Sequence, residues 1–215
     1  MRLRIAPICV TALLLAFGSG AARADGISIL NASFESTNPF TNSVAGVGSW
    51  NLGPIPDWTV TGAGGSWAPG PAAFSSAPDG TVVAYSNGGT ISQSLGVFVL
   101  ANSVYTLSVD VGHRLDGLAT SYSISLDDNG VPLCTSSGSS TGIAAGTFAD
   151  VVLTCPTGAS VIPGALSIVL ASGGVQSDFD NVQLSVVSSP EPSTLLLFGT
   201  GLLGLAGIAK RRFLT

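Results

Sequence analysis

Between Val104 and Val111 the sequence runs VYTLSVDV. In an extended chain Tyr105, Leu107, Val109 and Val111 fall on one face, and Thr106, Ser108 and Asp110 on the other. A period of two lays no continuous apolar stripe along a helix, so this segment has to bury one side of a sheet. The pattern recurs. In SYSISL, Tyr122, Ile124 and Leu126 oppose Ser121, Ser123 and Ser125. DWTVTG, TVVAYS, TISQSL, FADVVLTC, LSIVLA and FDNVQLSVV are further strand candidates between turn residues. Asn129-Gly130 reads as a two-residue hairpin turn into VPLC, and Asn87-Gly88-Gly89 as a similar join between TVVAYS and TISQSL. Nothing between Asp25 and Ser189 shows helical amphipathicity. About nine strands with polar connections predict an all-β domain, an antiparallel β-sandwich.

Charge divides the chain into three zones. Charged residues are only 9% of the chain, against 46% hydrophobic residues, which excludes the charge-rich, apolar-poor composition of disorder. The formal net charge is -5. Of the seven bases, Arg2, Arg4 and Arg23 lie at the start, Lys210, Arg211 and Arg212 at the end, and Arg114 alone between. Eleven acids share the middle with that one base, giving the body a net charge of -10. Such a body is unsuited to nucleic acid, whose phosphates require basic side chains.

Residues 1–24 read as a signal peptide. Arg2 and Arg4 precede an apolar run from Ile5 to Phe17, and Ala22-Arg23-Ala24 has the small-x-small form of a cleavage site. The expected partners of this segment are the Sec machinery and signal peptidase, and Cys9 leaves with it. Residues 190–215 form a second address. Thr194 to Ala209 carries no charge, and Lys210-Arg211-Arg212 has the character of a stop-transfer cluster. Sixteen helical residues reach roughly 24 Å, somewhat short of a full hydrocarbon core, and Gly199, Gly201, Gly204 and Gly207 permit close helix contacts. The expectation is a C-terminal transmembrane helix.

Pro190-Glu191-Pro192-Ser193, followed by a glycine-interrupted apolar segment and a basic end, resembles a PEP-CTERM sorting signal. Tails of this kind are also described as ice-binding-protein C-terminal domains, a description of the tail that carries no argument for ice binding. The resemblance implies a Gram-negative bacterium that makes exopolysaccharide. It also implies a membrane exosortase that recognises the Pro-Glu-Pro and removes the tail, with transient anchoring before processing. Pro190 and Pro192 would hold the recognition segment extended.

The body, residues 25–189, carries a second resemblance. NASFES, IPDWTVTG, TISQSL, ANSVYTLSVDV and FDNVQLSVV occur in the order found in secreted galactose-binding-like jelly-roll domains. The resemblance implies a sandwich of the carbohydrate-binding-module type. It also implies a possible structural calcium, held by Glu35 and Asp180 with nearby carbonyls, because hard oxygen ligands suit that ion. No other cofactor is expected.

Cys134 and Cys155 remain in the exported chain and predict a disulfide. Trp50 and Trp67, in turn-rich sequence, are candidates for stacking on sugar rings, Trp67 being the one expected to be more exposed. Trp58, in an alternating segment, is expected in the core. His113 is the only histidine, no G-x-S-x-G elbow is present and no carboxylate pair stands out. No catalytic residue is therefore assigned. The sequence alone points to a non-enzymatic domain associated with extracellular polysaccharide at the cell surface or in the matrix. A secreted carbohydrate-active hydrolase and a surface protein permanently anchored by its tail are the alternatives.

Overall fold

The computed structural model describes residues 24–117, 120–188, 198–204 and 206. The body is a sandwich of two antiparallel sheets. Its strands in chain order are β1 (Asp25–Ile27), β2 (Asn42–Val44), β3 (Gly48–Trp50), β4 (Thr59–Thr61), β5 (Gly64–Pro69), β6 (Val83–Ser86) and β7 (Thr90–Phe98). Then follow β8 (Ser103–His113), β9 (Ser121–Asp128), β10 (Val131–Ser139), β11 (Thr147–Pro156), β12 (Ala165–Ser172) and β13 (Ser177–Ser188). One sheet has the order β11-β8-β13-β6-β5-β3-β2, with β1 also paired to β13; the other has the order β10-β9-β12-β7-β4.

The alternation read from sequence sets the core. Tyr105, Leu107, Val109 and Val111 of β8 are buried, and Ile124 and Leu126 of β9 meet them with Leu166, Ile168 and Leu170 of β12. Fully burying one such side chain contributes roughly 1.5–3 kcal/mol. Trp58 belongs to this core; its ring lies 5.1 Å from Phe34 and its Nε1 donates to the Asn31 carbonyl. Asn129 and Gly130 both have positive φ, 50° and 79°, so β9 and β10 are joined by a tight primed turn. The Asn87-Gly88-Gly89 segment does something different from the expected hairpin. It carries the chain from β6 in one sheet to β7 in the other, because both faces of β6 are buried and the next alternating strand belongs to the opposite layer.

Strand β13 changes phase within its length. Phe179 points into the core, and so do Val182, Leu184 and Val186. The switch from odd to even numbers is absorbed where the pairing with β8 slips between Asp180 and Gln183, with Asn181 at φ 48°. Ahead of that bulge Asp178 and Asp180 flank Phe179, so both are turned to the outer face of the larger sheet.

Cys134 on β10 and Cys155 on β11 form a disulfide with Cα atoms 5.6 Å apart. These are edge strands of different sheets, so the bond closes one side of the sandwich.

Residues 198–204 are helical. Among the described residues no helix is long and apolar enough to cross a membrane. The rest of the signal peptide up to Arg23, the Pro190–Ser193 motif, half of the expected transmembrane segment and Lys210-Arg211-Arg212 lie outside the described residues, Ala22 among them; Ala24 is described and exposed.

Candidate functional site

The outer face of the larger sheet carries the chemistry. Strand register sets Gly65, Tyr85, Asp178, Gly112 and Phe148 opposite one another across β5, β6, β13, β8 and β11. A neighbouring row brings Trp50 opposite Trp67, and Trp67 opposite Val83. Residues across an antiparallel pair share a face, so this surface collects four aromatic rings, Trp50, Trp67, Tyr85 and Phe148, around Asp178. A second hydrophobic cluster forms here from Trp67, Ala73, Phe74, Val83 and Tyr85, with Trp50 and Phe148 packed on it. Gly112 makes that packing possible: a Cβ there would stand 2.7 Å from the Phe74 ring and 2.8 Å from that of Phe148.

Beside this cluster opens a cleft of ≈ 300 Å³, lined by Val47, Trp50, Leu52, Trp67, Tyr85, Asn87, Arg114 and Gln176. Arg114 stacks over the Trp67 ring, with Cζ 4.8 Å from its centroid. Its Nε and NH2 donate to the two Asp116 oxygens at 2.8 and 2.6 Å, and its NH1 donates to Gln176 Oε1 at 2.8 Å. Gln176 Nε2 then donates to Asp178 Oδ1 at 2.7 Å. The Arg114 contact fixes which end of the Gln176 amide faces the acid. The Asp116 carboxyl is held low by the hydrogen bonds from Arg114.

Asp178 sits behind the cleft wall, 1% exposed. Its Oδ2 is buried and has no hydrogen-bond partner. Burial pushes its carboxyl up to about 7, against the opposing pull of the Gln176 amide and the Arg114 guanidinium. The Tyr85 hydroxyl donates to the Asn51 carbonyl at 2.8 Å, and burial raises its pKa, with the Asp178 charge adding to the effect. The geometry therefore pairs an acid that holds its proton near neutrality with an aromatic cleft one side chain away. Such an acid can donate a proton that a surface carboxyl would already have lost.

Glu35 and Asp180 both act on the segment 79–82. Glu35 Oε1 accepts from the Thr81 and Val82 amides at 2.8 and 2.7 Å, and Oε2 from the Thr81 hydroxyl. Asp180 Oδ2 accepts from the Asp79 amide at 3.1 Å, and Oδ1 from its neighbour Asn181 at 2.7 Å. Gly80, at φ 68°, leaves room for the Glu35 carboxyl. Asp180 is fully buried, and that burial pushes its carboxyl up to about 7. Among the described residues no group of three or more His, Cys, Asp or Glu is placed to hold a metal ion; Glu35 and Asp180, the two acids drawn for calcium, both turn to the 79–82 segment.

Trp50 and Trp67 both line the cleft, but their exposures are the reverse of those expected. Trp67 is 2% exposed and Trp50 is half-buried, because β5 lies inside the sheet under Phe74 and Arg114. His113 Nδ1 lies 2.8 Å from the Ile143 carbonyl and is engaged in closing a loop. Sequence reading missed Asp178, Gln176 and Tyr85. The available signal was SDFDN, in which two acids flank a core phenylalanine and must share the opposite face.

Known proteins place this architecture. Over 78% of this chain and all of the other, it matches the Stig cyclase Fisc from Fischerella sp. TAU, crystallised with (3Z)-3-(1-methyl-2-pyrrolidinylidene)-3H-indole, with TM-score 0.65 and 22% identity. A Fischerella cyclase in complex with 4-(1H-indol-3-yl)butan-2-one matches with TM-score 0.64 and 22% identity, over 78% of this chain and all of the other. More distant is the CBM22-1 xylan-binding domain of Paenibacillus barcinonensis Xyn10C, with TM-score 0.45 and 13% identity, over 68% of this chain and all of the other. No curated protein matches in sequence. The PEP-CTERM protein-sorting motif is found at residues 190–212 and marks an exported, exosortase-sorted surface protein. A family model described as HpiC1 cyclase matches residues 25–185. The cyclases of this family are enzymes, which overturns the expectation of a non-enzymatic domain. That expectation looked for histidines, serine elbows and carboxylate pairs, whereas the acid here becomes distinctive only through burial. With most of its length inside the match, the chain belongs to the HpiC1-like cyclase family.

Proposed function

We propose that the protein is an exported cyclase-type enzyme that works by proton transfer at the aromatic cleft. Asp178 is the general acid. Protonated Asp178 gives its proton to a flat, unsaturated substrate, the resulting cation closes a ring through an internal carbon–carbon bond, and the Asp178 carboxylate takes a proton back. The cycle is redox-neutral and needs no co-reactant. The faces of Trp50, Trp67 and Tyr85 would stabilise the positive charge that develops between the two proton transfers. Gln176 and Arg114 are positioning residues that hold the acid by one oxygen and leave Oδ2 to carry the proton.

The observation that carries this reading is the unpartnered, buried Oδ2 of an acid with pKa about 7, hydrogen-bonded to a residue lining the cleft. The substrate class follows from the cleft's flat apolar walls, and the indole ligands of the Fischerella cyclases belong to that class. The test is a titration of the full chain with 4-(1H-indol-3-yl)butan-2-one, followed by tryptophan fluorescence. Saturable quenching that weakens about tenfold in Trp50→Ala is expected. Quenching that is linear in ligand and indifferent to the substitution would overturn the assignment of the cleft.

The destination we infer is the cell surface or matrix of a Gram-negative bacterium, reached through Sec export and exosortase processing. Association with extracellular polysaccharide is a second reading, favoured by the outer face of the smaller sheet. There Thr59, Ser92, Val169, Ser125 and Thr135 lie in one cross-strand row, and Thr61, Thr90, Ala171, Ser123 and Ser137 in the next, hydroxyls flanking a single apolar position on β12. Hydroxyl rows of this kind suit a neutral sugar polymer. Co-sedimentation of the protein with the producing cell's own polysaccharide supports this reading, and its absence counts against it.

A further inference from the structure

The two ends of the sandwich differ in kind. The cleft end carries the loops that follow β6, β8 and β12, with Asn87, Arg114 and Gln176. At the opposite end the 99–102 turn, the Asn129-Gly130 turn and the 157–164 loop meet. Val99 N donates to Gly164 O, Asn102 N to Gly158 O and Asn129 N to Ala165 O. Ser188, the last residue of β13, is there too, opposite Ser103 and accepting its hydroxyl hydrogen bond at 3.2 Å. The chain therefore leaves the domain toward its sorting tail from the end farthest from the cleft.

That end is apolar. Phe98 is 64% exposed, Val131 67% and Ile162 84%, with Leu100 and Val104 also exposed. Strand pairing and turn hydrogen bonds bring these positions together: Phe98 stands opposite Ala165, and Val131 opposite Asp128 just before the turn. Asp25 and Asp128, with the buried Asp127 beside them, bring the charge at this end, and the only Lys or Arg among the described residues, Arg114, is at the other. Phenylalanine and isoleucine side chains largely exposed to water are a cost that an interface removes.

Chain length decides the occupant. Between Ser188 and the uncharged run that starts at Thr194 there are five residues, Ser189 to Ser193. Fully extended, they reach at most about 17 Å. If the uncharged run enters a bilayer, the end of the sandwich can stand no farther than that from the lipid, and it is this apolar end that faces it. We propose that Phe98, Leu100, Val131 and Ile162 seat the domain on the lipid surface while the tail is in place. The cleft is then held outward, away from the membrane. The proposal rests on the membrane reading of the tail. It adds an orientation and a lipid-contacting patch that the tail does not require.

The test uses the full chain reconstituted in phosphatidylcholine vesicles carrying a nitroxide lipid labelled near the headgroup. A fluorophore is attached at Ile162→Cys or, as control, at Leu115→Cys near the cleft end. The expected result is co-flotation of both variants with vesicles, and quenching at position 162 at least about twofold stronger than at position 115, as for side chains buried at the headgroup boundary. Co-flotation with equal quenching at the two positions overturns the seating alone. Failure to float overturns it together with the membrane reading of the tail.

Discussion

Asp178 shows how far one residue's environment can move its chemistry. Its carboxyl is raised to about 7, mainly by burial, from an ordinary value of 3.8. The folded protein therefore keeps a proton that the unfolded chain releases at lower pH, so stability falls as pH rises from about 4 to about 7 and stays reduced above. A shift of this size corresponds to a cost on the order of 4 kcal/mol for holding the charged form. Asp180, raised by burial to about 7 as well, works in the same direction. The melting temperature should thus be higher near pH 5 than near pH 8. Asp178→Asn should flatten that slope and melt above the wild type at the higher pH, while losing the acid function; equal slopes would contradict the assignment. Glu35 makes the opposite kind of contribution, through hydrogen bonds to two amides and a hydroxyl of the 79–82 segment. Glu35→Ala should cost about 2 kcal/mol in a denaturant titration, since it leaves those donors without their partner. Gly80→Ala should cost a comparable amount, because its Cβ would lie 2.3 Å from the Glu35 carboxyl carbon at a φ of 68°.

At the scale of elements, the long strands were legible because their cores alternate without interruption. β8, β9 and β12 each place every second residue in the sandwich, and the segments read from sequence fall within their observed bounds. β5 was illegible. GGSWAP has no alternation, since it is packed on both faces, with Gly65 held against the Asn51 carbonyl. The phase slip of β13 was equally hidden, whereas the shared face of Asp178 and Asp180 lies ahead of it and could be read from SDFDN. A bulge is a property of pairing, which a single strand does not record. The disulfide was legible from its context alone, two cysteines in an exported body. Its placement between edge strands of opposite sheets was not. Replacing Cys134 and Cys155 together by serine should lower stability by about 3 kcal/mol, the entropy of a loop of this length, while leaving the far-ultraviolet circular dichroism of the folded protein unchanged. An unchanged midpoint in denaturant would show that the bond closes nothing the sheets do not already close.

As a whole molecule, the protein joins a linear sorting motif to a β-sandwich that carries the cleft. The sorting motif occupies residues 190–212, the sheets supply a rigid scaffold, and the aromatic cleft is built where β5, β6, β8 and β13 run side by side. The sorting motif was readable because it is linear, whereas the cleft draws Trp50, Tyr85, Arg114 and Gln176 from four separate stretches of chain. The central claim is that a protonated Asp178 serves this cleft. The most direct measurement is the affinity of the full chain for 4-(1H-indol-3-yl)butan-2-one across pH, in wild type and Asp178→Asn. The account predicts wild-type binding that weakens as pH rises through about 7, as the buried acid loses the proton it offers to the ligand carbonyl, and a variant with no such step. A wild-type profile flat through that range, or an identical step in both proteins, would contradict it.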